Sequence, residues 1–436
     1  MTMERRSVLK KLGVAGAVGG LAGCMSVQQQ DGGSTTAGGD GGDGGSENES
    51  SGEGNASTAS TSSGPAGTAQ IWYSLPDPEI PARKEAMSRF NESSQHAVEG
   101  SDISDMRKKT TSAIPAGQGP QTFEWAHDWT GDYSQRGFLV DQSDQVSVSL
   151  DQFTEAAANA CRFEGSLYGL PHTAETVGLV YNTDIVDEAP ESVADMKSVM
   201  EEHHDPGNNK YGLAFPFTEG YFISAWMQAF GGYIFDNSKE AKLGIDKPEA
   251  IEGAQFAVDN FAPYMPNDPA YEPQASAFAS GNTAFAFNGP WYLATLNDKG
   301  VNYEVTKLPT PEGGEPTPYT GITIWYFAKA MEEGGADAAA ARKFIEWYVT
   351  NEEMARTRAE EQGSIPVLTS IIDEGDLPEN VQGFAEAVEQ GRPLPAHPQV
   401  NKVWDPLKAG LAKAFNGKDV EKAMNTAAKE IRSNWE

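Results

Sequence analysis

The chain has little cysteine, little positive charge and no long hydrophobic run. Two cysteines in 436 residues, Cys24 and Cys161, cannot frame a disulfide scaffold. Lys and Arg number 32 against 63 Asp and Glu, a formal net charge of −31. Phosphate backbones would be repelled, which excludes nucleic acid as a partner. An acid excess of this size keeps a protein soluble in high salt, where screening removes self-repulsion, and points to a salt-loving prokaryote. The N-terminal apolar segment, Leu12 to Leu21, is too short and too rich in Gly and Ala for a transmembrane helix. No Walker-type phosphate loop is present. His172-Thr173-Ala174-Glu175 lacks the two-histidine helical spacing of a zinc hydrolase. His203-His204 lies in a stretch that reads as a helix end, so neither a metal nor a cofactor is expected.

What is present begins with an address. Glu4-Arg5-Arg6-Ser7-Val8-Leu9-Lys10 carries the twin arginine of a signal that exports folded proteins. Leu21-Ala22-Gly23-Cys24 resembles the lipobox of bacterial and haloarchaeal lipoproteins; cleavage before Cys24 and lipidation of its thiol would anchor the chain to a membrane. Cys161 then has no intrachain partner and is expected to be a small buried hydrophobe. Residues 25–68 are Gly, Ser, Thr, Asp, Glu and Asn with almost no large apolar side chains, a composition that cannot offset chain entropy by burial. As a flexible tether of about 44 residues this segment would reach roughly 35–40 Å. Asn48, Asn55 and Asn91 fit the N-glycosylation pattern.

The folded part starts near Ala69 and is large enough for two domains. Gln70 to Leu75 and Thr122 to Ala126 read as strands, and Pro81 to Asn91 reads as a helix. Strands bracket Pro171 to Thr176. Alternation of this kind predicts an α/β architecture with mostly parallel sheets. The most informative stretch is Ser276 to Tyr292. Gly281-Asn282 supply a turn, Thr283 to Phe287 is an apolar run of strand length, and Pro290 suits the start of a new helix. Trp291 therefore sits just past the carboxyl end of a strand, the edge at which open α/β sheets bind ligands. Near the C-terminus, Trp404, Leu407, Leu411 and Phe415 share one helical face. Val420, Ala423, Met424, Ala427, Ala428 and Ile431 share another.

From about Gln70 onward the chain resembles the extracellular solute-binding proteins of ABC sugar importers, closest to the maltose/maltodextrin-binding type. Five stretches carry the likeness. They are Trp125-Ala126-His127-Asp128 with Tyr133 to Leu139; Gly165 to Pro171 through Glu175 to Asn182; and Glu219-Gly220-Tyr221-Phe222 with Gly231-Gly232-Tyr233. The fourth is Ala277-Phe278 through Asn288-Gly289-Pro290-Trp291 to Leu308-Pro309-Thr310, and the fifth is Pro398-Gln399 with Trp404. The resemblance implies a two-lobed periplasmic-binding-protein fold of type II, with a ligand cleft between lobes. The first lobe would comprise 69–173 and 320–371, the second 178–315 and 375–436. The chain would cross the hinge near Thr173 to Val177, Pro316 to Thr320 and Ile372 to Asp376. It also implies a monomer that hands an oligosaccharide to ABC permease subunits.

A pyranose offers an apolar face of C–H groups and a rim of hydroxyls. Aromatic rings pack on the face, and carboxylates accept strong charge-assisted bonds from the hydroxyls. By the resemblance, Trp125, Tyr221, Trp291 and Trp404 supply stacking surfaces, Asp128, Glu175 and Glu219 supply carboxylates, and Tyr271 is a further contact. Three departures bear on which sugar fits. Leu75-Pro76-Asp77 stands where the family has an Asp-Lys pair. Trp129 stands where an Arg follows the Asp, and would add a stacking surface. Lys408 replaces an Arg and keeps charge without the bidentate fork. Other readings of the same residues remain. Asp128 is alternatively a helix N-cap, and Glu175 a solvated charge. A carbohydrate-active enzyme would use Asp128 with Glu175 or Glu219 as acid and base. A polyamine would also suit aromatic rings and carboxylates, and a surface protein would bind no small ligand.

Overall fold

The computed structural model describes residues 65–436. The leader, Cys24, most of the Gly/Ser-rich segment, Asn48 and Asn55 lie outside the described residues. Two sheets organise the chain. The first begins with β1 (Thr68–Tyr73), parallel to both β2 (Ala97–Asp102) and β3 (Thr122–Ala126). β4 (Arg162–Phe163) and β5 (Ser166–Leu167) form a small separate hairpin. β6 (Gly169–Glu175) then joins the first sheet by pairing with β11 (Tyr319–Phe327). The two residues Arg392–Pro393, β12, add a parallel edge to the start of β11. The strand order is β12-β11-β3-β1-β2, with β6 also against β11. The second sheet has the order β10-β7-β9-β8, made of β7 (Gly178–Asn182), β8 (Tyr211–Ala214), β9 (Thr283–Asn288) and β10 (Tyr303–Thr306).

Both sheets are mixed, which corrects the expectation of mostly parallel ones. β11 runs antiparallel to β3 and β6, and β7 runs antiparallel to β9 and β10. Connectivity is the reason. The chain leaves the first sheet at Glu175 and enters the second at Gly178, then returns at Tyr319. A strand that re-enters beside the exit strand runs back against it, without the crossover helix that parallel neighbours need.

Helices bury the faces their spacing dictates. Helix Ile80–Ser93 buries Arg83, Ala86, Met87 and Phe90. Helix Trp404–Phe415 buries Trp404, Leu407 and Leu411, leaving Phe415 half-buried. The six residues named on the last helix face are all buried within Val420–Trp435. Cys161 is fully buried, donates weakly to the Ala157 carbonyl, and has its thiol pushed up by burial. Asn91 lies within a helix, and its amide exchanges two hydrogen bonds with the Val98 backbone, holding the helix to β2. No helix among the described residues is long and apolar enough to cross a membrane.

A cluster of charged groups is buried beside the first sheet. Arg83 pairs with Glu124 of β3, donates to the Tyr348 hydroxyl at 3.0 Å, and lies over the rings of Tyr73, Trp325 and Tyr348. His172 Nε2 lies 3.2 Å from the other Glu124 oxygen. Burial disfavours each charge. The pair prevails for Glu124, whose carboxyl is held well below the usual range by Arg83 and His172.

Candidate functional site

β3 is buried along its whole length, and the chain turns at its end through a single 3-10 turn, His127–Trp129. His127 fixes that turn. The Ile322 N–H donates to its Nδ1 at 3.1 Å, so its Nε2 carries the proton and donates to the Leu394 carbonyl at 2.7 Å. Burial holds the His127 pKa below its ordinary value. The turn delivers Asp128 into a fully buried position. Neither carboxylate oxygen has a hydrogen-bond partner among the described residues, so Asp128 is not a helix N-cap. Burial pushes its pKa up, opposed by nearby Arg107 and His127 and reinforced by Glu175.

Glu175 ends β6 and is buried rather than a solvated charge. It accepts from the Thr323 hydroxyl at 3.3 Å, and its backbone carbonyl accepts from the Tyr221 hydroxyl at 3.2 Å. The latter bond joins the second half to the exit strand of the first. Tyr221 and Phe222 start helix Gly220–Met227, which Glu219 precedes. Their rings lie 6.2 and 6.0 Å from that of Trp291, and Tyr271 packs on Phe222 at 5.9 Å. Trp291 stays half-buried, in the first turn after β9, as its position past the strand end predicts. Trp404 opens its helix with its ring edge-on to Tyr319 at 6.3 Å, and its indole N–H, although buried, has no acceptor among the described residues.

Three of these side chains lie directly on glycines. A Cβ at Gly289 would sit 2.2 Å from the Trp291 ring, one at Gly220 2.7 Å from the Trp404 ring, and one at Gly321 2.8 Å from Glu175. The site is therefore positioned by close backbone approach as much as by side-chain packing.

Two expected contacts are arranged differently. Trp129 is fully buried and is not an open stacking surface. Its ring stacks on Trp125 at 4.9 Å, meets Tyr133 at 4.9 Å, and carries the Arg107 guanidinium at 4.7 Å, so it backs Trp125 from behind. Lys408 is half-exposed and forms an ion pair with Glu219 from the facing helix, so these two charges partner each other. Contacts in the candidate site thus link Glu175 to Tyr221, Tyr221 to Trp291 and Gly220 to Trp404, with Asp128 near Glu175 and Trp125 held on Trp129. Arg107 and Asn401 join it without a sequence signal. Arg107 Nη2 donates to Asn401 Oδ1 at 2.7 Å, and Asn401 lies in the turn preceding Trp404. A basic residue in a short amphipathic helix carries no mark of its partner 294 residues away.

A buried carboxylate whose two oxygens lack a donor among the described residues, close to aromatic side chains, suits a small polar solute. Residues 85–385 match the family model for bacterial extracellular solute-binding proteins, and the chain belongs to that family. It is 37% identical over 342 residues to a maltotriose-binding protein of Pyrococcus abyssi, covering 76% of this chain and 74% of that one. It is 27% identical over 332 residues to a maltooligosaccharide ABC transporter solute-binding lipoprotein of Streptococcus pneumoniae, covering 73% and 77%. In fold it matches a Thermus thermophilus maltotriose-binding protein bound with maltotriose, with a TM-score of 0.76 at 24% identity, covering 84% of this chain and all of that one. The architecture is the two-lobed periplasmic-binding-protein fold.

Proposed function

We propose that this protein is a lipid-anchored receptor that captures malto-oligosaccharides between its lobes and presents them to an ABC permease. Asp128 is the observation that carries the reading. A buried carboxylate with both oxygens unsatisfied is costly, and two sugar hydroxyls would supply the missing donors as charge-assisted bonds. In this reading Trp125, Tyr221, Trp291 and Trp404 would supply surfaces suited to pyranose faces, and Glu175 a second carboxylate. The sugar named for the Pyrococcus relative makes a three-glucose ligand the first choice.

The lobes are 69–173 with 320–371, and 178–315 with 375–436. Ligand bridges both only in the closed arrangement, which shifts the population toward it. The twin-arginine leader exports the folded chain, Cys24 carries the lipid, and the acidic segment after it is the tether. The receptor works as a monomer, without turnover, in a salty exterior. An affinity in the micromolar range corresponds to about −8 kcal/mol.

The test is a thermal-shift screen of the purified chain in high salt against maltose, maltotriose, trehalose, glucose, xylose and spermidine. A saturable rise with malto-oligosaccharides supports the reading. A rise with spermidine alone keeps the fold and discards the sugar, since rings and carboxylates also suit a polyamine. Release of reducing ends from maltotriose would instead identify an enzyme using Asp128 and Glu175 as a carboxylate pair.

A further inference from the structure

We infer that Arg107 is a specificity-determining ligand contact, which selects a neutral polyhydroxyl ligand over a cationic one in the cleft. The inference rests on the reading that the cleft takes an oligosaccharide.

Helix Met106–Ala113 is capped by Asp105, which accepts from the Lys108 N–H at 2.9 Å. The cap puts Arg107 in the first turn, where its side chain reaches across to the site. The guanidinium lies 4.7 Å over Trp129 and spends Nη2 on Asn401. Its Nε is buried without an acceptor among the described residues. Asp128 is near enough for the two charges to interact, yet both of its oxygens lack a donor among the described residues. Asn401 Nδ2 donates at 3.5 Å to the Asp128 backbone carbonyl, so the same asparagine touches both residues.

The arrangement leaves one buried donor and two buried acceptors, neighbours that do not satisfy each other. Each orphan is costly on its own. A sugar hydroxyl is both donor and acceptor and satisfies the two sides together: it donates to Asp128 and accepts from Arg107. An ammonium group has donors only. It would satisfy Asp128, leave Nε orphaned and meet the positive guanidinium. The ring beneath Arg107 and the Asn401 amide hold the cation in place, so little side-chain freedom remains to be lost on binding.

The experiment is calorimetric titration of the wild-type chain, Arg107→Gln and Arg107→Lys with maltotriose and with spermidine, repeated from pH 8 to pH 4.5. Arg107→Gln should weaken maltotriose binding about 10- to 100-fold, the range for losing a hydrogen bond to a charged group. Arg107→Lys should recover part of that loss, because charge returns without the fork. The pH profile separates contact from scaffolding. Asp128 is faced by Arg107, His127, Glu175 and Tyr326. Removing the arginine removes a cation that favours its carboxylate, so binding should begin to fail at a higher pH in Arg107→Gln. Spermidine binding should strengthen or appear in that variant. If Arg107→Gln does not fold, the comparison rests on Arg107→Lys, for which maltotriose affinity within twofold of wild type would overturn the inference. Arg107→Gln with unchanged maltotriose affinity and an unchanged pH profile would also overturn it. Wild-type protein that binds no oligosaccharide would remove the functional reading itself, a distinguishable outcome.

Discussion

Gly289→Ala displaces the Trp291 ring without altering its chemistry. The new Cβ would lie 2.2 Å from Cη2 and Cζ3, and ordinary contact begins near 3.4 Å, so the ring must move by about 1.2 Å. Gly289 has φ −113° and ψ 176°, which any residue adopts, so the backbone itself resists nothing. Trp291 is half-buried and has room to yield, which keeps the stability cost below about 1 kcal/mol. One face of an indole covers about 100 Å² of ligand, worth about 2.5 kcal/mol. A gap of 0.5–1 Å already forfeits a quarter to a half of the dispersion attraction. The expected loss is therefore about 1–1.5 kcal/mol, a five- to twelvefold weaker Kd for maltotriose by calorimetry. An affinity within twofold of wild type, in protein that melts normally, would refute the placement of Trp291 against the ligand.

Arg83→Met should cost about 3–5 kcal/mol in urea unfolding, because Glu124 stays buried without its cation; a loss under about 1 kcal/mol would contradict that account. His127 and His172 are buried, and burial holds both pKa values below the ordinary 6.5. The folded chain then binds fewer protons than the unfolded one, so stability is full above about pH 6.5 and falls as pH drops below it. A melting temperature that is flat from pH 7.5 to 5 would rule this out. Lys408→Ala should change stability by less than about 1 kcal/mol, since the lysine side chain of its ion pair with Glu219 is 48% exposed. A loss above about 2 kcal/mol would show that the pair is structural.

Periodicity carried the local structure well, because each signal was decided within a few residues. The apolar run of β9, the turn at Gly281 and the proline before Trp291 put that ring at a strand end. The spacing of Val420, Ala423 and Ala427 marked a buried face. The resemblance proposed Asp128 and Glu175 as site carboxylates, but their burial was not legible, because it depends on residues far away in the chain. Trp129 shows the limit. An indole after a strand is open or covered according to neighbours such as Tyr133 and Arg107, and only the folded chain brings Arg107 over it. The Lys408–Glu219 pair joins residues 189 apart, and the antiparallel entry of β11 depends on the return path of the chain. None of these leaves a local pattern.

The account turns on an oligosaccharide satisfying Asp128 between the two lobes. Calorimetric titration of maltotriose into the wild-type chain and into Asp128→Leu tests that directly. Saturable one-to-one binding with a micromolar Kd, weakened at least tenfold in a folded Asp128→Leu, is the expected result. Absence of binding by folded wild-type protein, or equal affinity in the two proteins, would contradict it.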